Sequence, residues 1–458
     1  MLRQPAAMKK TILLINPWIH DFAAYDFWIK PLGLLYIASF LRRNGFSVEF
    51  IDCLDPWNPQ MRKSPAHRSP RRNASGHGKY FREIIPKPEA LKAIPKNYHR
   101  YGVTPQVLRE SLSALPRPQL VMITSMMTYW YPGVFETIKV VKEVLPGTPV
   151  VLGGNYVTLC PEHARLSGAD YLFSGNGEEG LVPLIEDLLG GEPPFLPDGR
   201  RLDSYPYPAC DLIPHPEQLP IRTSRGCPFT CTYCASRILN PSFRRRDPDQ
   251  VFKELQFWHA SLNVQNFALY DDAFLIDPSL MAIPLLKEII KHRLPWRFHC
   301  PNGLHLREID DEIAGLMFKA GFETIRFGFE TADLKRQSET GGKVTNGDLR
   351  QGIKCLTDAG FQREAIGIYL LCGLPGQSAS EVADSIDYVQ SCGAKPILAE
   401  YSPIPGTALW EEAVRVSPFD IQAEPLYHNN TLLPCQGENF TDEMYRALKS
   451  GLANFPPN

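Results

Sequence analysis

The sequence predicts an α/β protein in which an N-terminal doubly wound parallel sheet is followed by a partial (β/α)6 barrel. Three observations carry this. Short apolar β-type runs alternate with amphipathic helical stretches, and they do so in two separate arrays. A proline-rich stretch over 192–220 (EPPFLPDGRR, SYPYPAC, IPHPEQLP) divides the arrays as a linker does. The second array has six strands with helices between them, short of the eight of a complete barrel. The expected organisation is a first domain over 1–195 with an insertion at 54–118, a linker at 196–219, a barrel over 220–410 and a C-terminal extension over 411–458.

Strands of the first array are expected at 11–17 (TILLINP), 47–52, 120–125, 149–154 and 171–175. Between the first two, Leu34, Ile37, Ala38 and Leu41 share one helical face, and Gly45 reads as the stop. A helix over about 133–145 spaces Val134, Ile138, Val141 and Leu145 to face a sheet. Ligands of such sheets sit beyond the carboxyl ends of the strands. The insertion departs from this pattern. From Arg62 to Arg100 there are eleven Lys and Arg against two Glu, a net +9; the whole chain is −2, so the remainder sums to −11. The plain expectation is a solvated, partly disordered segment. The sharper one is a lid or a dock for an anionic substrate.

Barrel strands are expected at 220–224, 266–272, 296–302, 324–330, 365–373 and 396–404, with helices at about 248–260, 279–291, 310–320, 346–359 and 380–391. A short helix is expected at about 442–453. With 44% hydrophobic and 21% charged residues the chain is an ordinary globular one. No apolar run approaches the roughly 20 residues that span a bilayer, and the start, MLRQPAAMKK, lacks the features of a signal peptide. The expectation is a cytoplasmic chain with no membrane partner. Its near-neutral balance argues against nucleic acid as a general partner.

Eleven cysteines, an odd number and mostly scattered, argue against a disulfide framework. Three are grouped: Cys227-Pro-Phe-Thr-Cys231-Thr-Tyr-Cys234, directly after the first barrel strand. Thiolates spaced by three and two residues can converge on one inorganic cluster from a single loop. Closed electron-transfer clusters normally use four cysteines. Three ligands leave one iron open, as catalytic metal sites require. A structural zinc site with a fourth ligand from elsewhere is the rival reading, although zinc knuckles usually come as paired CxxC units. Cys300, Cys372, Cys53, Cys160, Cys210, Cys355, Cys392 and Cys435 show no ligand spacing and read as small buried side chains.

At this point the sequence resembles the radical S-adenosylmethionine (radical SAM) superfamily, whose signature is CxxxCxxC with an aromatic residue, here Tyr233, before the last cysteine. The resemblance implies a TIM-type partial barrel and a [4Fe-4S] cluster on Cys227, Cys231 and Cys234. It also implies reductive cleavage of S-adenosylmethionine to a 5′-deoxyadenosyl radical, and an electron donor such as flavodoxin or ferredoxin. It carries over further positions. Asp271 and Asp272, ending the second barrel strand, match the family's contact to the methionine ammonium; a helix cap is the alternative. Glu330, in Gly328-Phe-Glu330-Thr, matches a contact near the ribose or carboxylate, and Lys343 fits the same element or is a surface lysine. Gly373, in Gly-Leu-Pro-Gly, matches the approach to adenine. His299 and His305 flank the end of the third strand as lesser candidates for proton transfer.

The first domain resembles the cobalamin-binding, Rossmann/flavodoxin-like domain that precedes the radical domain in one subfamily. The residues are Asn16, the Pro31–Leu34 run, Ser125, Gly153, Gly154, and Gly175-Asn176-Gly177-Glu178. The D-x-H-x-x-G motif of methionine-synthase-type cobalamin domains is absent; the loop reads Trp18-Ile-His20-Asp21-Phe22. The resemblance implies cobalamin without a histidine ligand, and methylation of an unknown substrate. Rearrangement or cyclisation without cobalamin, and a non-catalytic regulator docking an anionic partner, are the alternatives.

Overall fold

The computed structural model describes residues 10–65, 68–175, 177–190 and 195–453. It divides into two compact units, Met1–Pro216 and Glu217–Asn458.

The first unit contains β1 (Thr11–Asn16), β2 (Ile19–Asp21), β3 (Ser47–Asp52), β4 (Arg82–Ile84), β5 (His99–Tyr101), β6 (Leu120–Ile123), β7 (Val150–Gly153) and β8 (Tyr171–Phe173). Five of them form one sheet in the order β3-β1-β6-β7-β8, with every pair parallel. Strands buried on both faces need apolar side chains at every position. In β1 and β6, Leu13, Ile15, Val121 and Ile123 enter one core, while Ile12, Leu14, Leu120 and Met122 enter the other. Helices Pro105–Ala114 and Tyr131–Val144 cover the first face. Helices Leu32–Arg43 and Gly177–Leu189 cover the second. The sheet is therefore doubly wound. Its order reverses between β1 and β6, which places the switch-point crevice at their carboxyl ends.

The insertion corrects an expectation. It is folded rather than disordered, though much of its surface is solvated: its strands β5 and β4 join β2 in an antiparallel sheet. Tyr80, Phe81, Leu91, Tyr98 and Tyr101 are buried. Two of its cations are held inside the fold, while Arg62, Lys63, Arg68, Arg71, Lys79, Arg82 and Lys92 stay exposed. Arg100 pairs with Glu83 and Glu136. Arg72 lies 2.8 Å from the fully buried Asp26, and Lys30 lies 3.6 Å from it. The proline-rich stretch is also packed: Ala209 and Leu212 join the second core, and Cys210 is buried.

The second unit holds β9 (Leu219–Ile221), the short antiparallel pair β10 (Ser224–Arg225) and β11 (Arg244–Arg245), then β12 (Asn266–Leu269), β13 (Arg297–His299), β14 (Phe322–Glu330), β15 (Ile366–Cys372) and β16 (Lys395–Glu400). Six form a parallel sheet in strict chain order, β9-β12-β13-β14-β15-β16. The longer helices between them are Pro248–Leu262, Ala282–His292, Asp311–Lys319, Asn346–Asp358 and Ala379–Ser391, with short ones at Ser236–Leu239 and Leu334–Glu339. Asp247, Asp310, Thr345 and Ser378 cap four of these by accepting backbone N–H groups of the first turn. Among the described residues no helix is long and apolar enough to cross a membrane.

Candidate active site

The cysteine loop follows β10, and its entry is clamped from below. Asp271 is fully buried and accepts the backbone N–H and hydroxyl of both Thr223 and Ser224, at 2.5–3.0 Å. Gly226, at φ +84°, then turns the chain; a Cβ there would stand 2.6 Å from the Ser242 carbonyl oxygen. Cys234 N–H donates to the Cys231 carbonyl at 3.1 Å, closing the turn between the last two cysteines. Gly341, at φ +116°, packs on the loop from outside, where a Cβ would lie 3.1 Å from Cys231 Cα.

Cys227, Cys231 and Cys234 line one cavity of about 260 Å³ with Tyr233, Asp272, Asn302, Gly303, His305, Gly328, Glu330, Lys343 and Tyr369. Among the described residues no three His, Cys, Asp or Glu side chains are gathered to chelate a single ion. The thiols instead stand around a shared space and form no disulfide. Burial pushes the Cys227 thiol up to about 11 and raises that of Cys231, the latter opposed by the positive charge of Lys343. Thiols so placed gain most from a metal that holds them as thiolates. This donor set fits a cluster held at three corners.

The opposite wall is built by β14. The ladder to β15 shifts register between Gly328 and Glu330, and Glu330 takes φ +74°, a conformation that costs a non-glycine residue about 1 kcal/mol. The bulge turns the Glu330 carboxylate to the Lys343 ammonium at 2.6 Å. Lys343 also donates to the Tyr233 hydroxyl at 3.1 Å. A Cβ at Gly328 would stand 2.6 Å from Glu330 Oε1 and 2.7 Å from Lys343 Nζ, so glycine leaves the room the pair occupies. Burial would push the Lys343 ammonium down, but Glu330 and Cys231 outweigh it and the pKa stands above its ordinary value. Lys343 is thus a buried cavity residue, not a surface lysine.

The adjacent acids have separate places. Asp272 faces the cavity, where burial raises its pKa against the pull of Arg222. Asp271 does not line the cavity and braces the loop instead; both acids lie just past the end of β12. Gly373 also lies outside the cavity lining. It ends β15 at φ +77°, with Leu433 and Phe440 of the C-terminal segment against it. His305 lines the cavity, stacked on Phe229 with ring centroids 4.7 Å apart. Burial, then Lys343 and Arg307, push it down to about 3, so it is a neutral imidazole. His299 is fully buried between Asn266 and Thr324 and is no part of the cavity. Sequence reasoning missed Asn302, Gly303 and Tyr369. The Asn302-Gly303 pair after β13 was the available signal, since a Cβ at Gly303 would meet Gly328 N at 2.9 Å.

In the first unit, Asn16, Ser125, Gly153, Gly154 and Gly175 share the carboxyl edge of the sheet, at or after the ends of β1, β6, β7 and β8. Asn16 donates to Asp52 at 2.7 Å, and Ser125 donates to the Gly153 carbonyl at 2.6 Å. Gly154, at φ +99°, lies so close that a Cβ would stand 2.2 Å from the Ser125 carbonyl oxygen. A Cβ at Gly175 would meet nothing within 4 Å. A switch-point edge made of glycine and backbone fits a bulky ligand. Asn176 falls outside the described residues.

A parallel six-stranded barrel whose first loop turns three thiols into a cavity of acids and one lysine defines a cluster-bearing radical enzyme. Residues 221–389 match the radical SAM superfamily and residues 98–185 the B12 binding domain. The chain thus carries a radical SAM domain and, before it, a B12-binding domain; the first implies a [4Fe-4S] cluster and S-adenosylmethionine, the second cobalamin. It is 26% identical to an uncharacterized methyltransferase of Pyrococcus horikoshii, over 65% of this chain and 70% of that one. It is 23% identical to the cytidylyl-2-hydroxyethylphosphonate methyltransferase of Streptomyces wedmorensis, over 91% and 84%. In fold it is similar to the radical SAM methyltransferase TsrM of Kitasatospora setae, with a TM-score of 0.67, 17% identity, and 98% and 90% of the two chains covered.

Proposed function

We propose that this chain is a cobalamin-dependent radical SAM methyltransferase acting on a carbon of its substrate. The observation that carries the reading is the convergence of Cys227, Cys231 and Cys234 on one cavity with Asp272, Glu330 and Lys343. The methyltransferase names of the two relatives support the reaction class. When bound, the cluster supplies an electron and S-adenosylmethionine and cobalamin supply the methyl group. The three cysteines hold the cluster and leave one corner for the sulfonium donor. Asp272, which lines the same cavity, would bind the donor's ammonium group. Tyr369 and Asn302 shape the wall beyond it, and neutral His305 offers a hydrogen bond that does not change with pH. The sheet edge at Asn16, Ser125, Gly153, Gly154 and Gly175 cradles cobalamin. The electron comes from a flavodoxin- or ferredoxin-type donor in the cytoplasm.

The test is anaerobic purification with cobalamin supplied, followed by iron and corrinoid analysis. The expected result is about four irons and one corrinoid per chain. Reduction with S-adenosylmethionine should then release 5′-deoxyadenosine or demethylated cofactor. A reconstituted chain that binds neither iron nor corrinoid overturns the reading.

A further inference from the structure

Most donors on the wall of the cluster cavity are already committed. Lys343 donates to Glu330 and to the Tyr233 hydroxyl. The Tyr369 hydroxyl donates to the Pro301 carbonyl at 2.8 Å, and the Asn302 amide reaches the Asp271 carbonyl at 3.5 Å. His305 is different. Only 4% of it is exposed, it lines the cavity, and among the described residues neither ring nitrogen has a hydrogen-bond partner. Nδ1 is the nitrogen that is shut in without one, so Nε2 is the one the cavity reaches. The neutral ring carries one proton. A buried N–H without an acceptor is rarer than a buried lone pair without a donor, so the proton rests on Nε2. The ring is also held in place. Leu304 pairs with Phe327 of β14, the His305 carbonyl accepts from the Glu308 N–H at 3.3 Å, and Phe229 stacks on the imidazole at 4.7 Å. Gly303 lets this segment lie close to the strand, since a Cβ there would stand 2.9 Å from Gly328 N.

We propose that His305 donates from Nε2 to the carboxylate of S-adenosylmethionine, and so completes a site whose acidic member is Asp272. The inference deepens the function proposed above and rests on it. The amino-acid end of the sulfonium donor is a zwitterion, which needs an acceptor for its ammonium and a donor for its carboxylate. Asp272 is the acceptor in that reading, and His305 is the donor that no protein group has taken. A neutral donor suits the place. The cavity already holds one cation, Lys343, balanced by Glu330 at 2.6 Å, and a second would have to be buried beside it.

The experiment is equilibrium dialysis of S-adenosylmethionine against the anaerobically reconstituted full-length chain, with iron measured in the same samples. His305→Phe keeps the ring on Phe229 and removes the donor; it should weaken binding about tenfold, the loss expected of a hydrogen bond to a charged group. His305→Gln puts an amide N–H where Nε2 stood and should stay close to wild type. His305→Asn reaches only the Nδ1 position and should bind as weakly as His305→Phe. Each variant should hold about four irons. Decarboxylated S-adenosylmethionine locates the contact: wild type should prefer the parent cofactor, and that preference should narrow about tenfold in His305→Phe. A ring that only packs on Phe229 would give the reverse order, with Phe tolerated and Gln not. The proposal is overturned by that order, by equal loss in His305→Gln and His305→Phe, by wild-type binding in His305→Phe, or by a carboxylate preference that His305→Phe leaves unchanged. Should His305→Phe fail to take up iron, His305→Asn against His305→Gln carries the same comparison. A wild-type chain that holds no iron overturns the cluster reading instead.

Discussion

Along the carboxyl edge of the barrel strands, Asp272, Glu330, Lys343 and three thiols crowd one cavity. Along the same edge of the N-terminal sheet stand glycines and small polar side chains, Asn16 held by the Asp52 carboxylate and Ser125 by the Gly153 carbonyl. The difference follows from what each edge is suited to hold. A sulfonium amino acid and a metal cluster carry charge, and are recognised by fixed charges in a low-dielectric space. A large cofactor rimmed with neutral amides is recognised by shape and by backbone groups. The first edge should therefore fail when a charge or ligand is lost, and the second when a methyl group is gained.

The largest effect is expected from Cys231→Ala, which should take iron from about four per chain to near zero and abolish S-adenosylmethionine cleavage, while corrinoid binding by the first unit persists. Next are the neighbouring acids, which should separate cleanly. Asp271→Ala leaves two buried N–H groups and two hydroxyls without their acceptor and should cost about 3 kcal/mol in a denaturant melt of the apo chain. Asp272→Asn should leave the melt unchanged and weaken S-adenosylmethionine binding, read by equilibrium dialysis. Gly154→Ala should cost about 2 kcal/mol, from left-handed strain and collision with the Ser125 carbonyl, and should reduce corrinoid retention without touching iron. Gly175→Ala, with open space around it, should cost about 1 kcal/mol.

The last effect depends on pH. Burial, with Asp52 adding to it, pushes Asp55 up to about 6. A carboxyl raised above its unfolded value contributes stability that is fully present below about pH 4 and lost as pH rises through about 6. Asp55→Asn should accordingly stabilise the chain by about 1–2 kcal/mol at pH 8 and leave it unchanged at pH 4, measured by paired melts. A gain at both pH values would mean that packing, not ionisation, sets the effect.

The alternation of apolar strands and amphipathic helices was legible throughout: the six barrel strands, the five helices between them and the five doubly wound strands all appear where periodicity places them. The cysteine loop was legible because its spacing is local. The insertion was not. Its strands are three residues long, too short for a period to show, and its net charge hid Tyr80, Tyr98 and Tyr101, which pack it down. Nor was the split between Asp271 and Asp272, since sequence gives adjacency but not the direction in which each side chain leaves the loop after β12. Lys343 looked like any surface lysine because Gly328 and Tyr233, which make its niche, lie 15 and 110 positions away.

The six barrel strands run in a row whose end members, β9 and β16, are not paired with each other. A complete eight-stranded barrel fills its own interior and receives guests only at its mouth. A row that stops at six has a flank as well as a mouth. The residues proposed to hold the cofactors sit at or beyond the strand ends, and the unpaired edges of β9 and β16 are separate from them. Descendants of such a chain can change what they act upon by rewriting loops at the gap, with the machinery that starts the reaction inherited untouched.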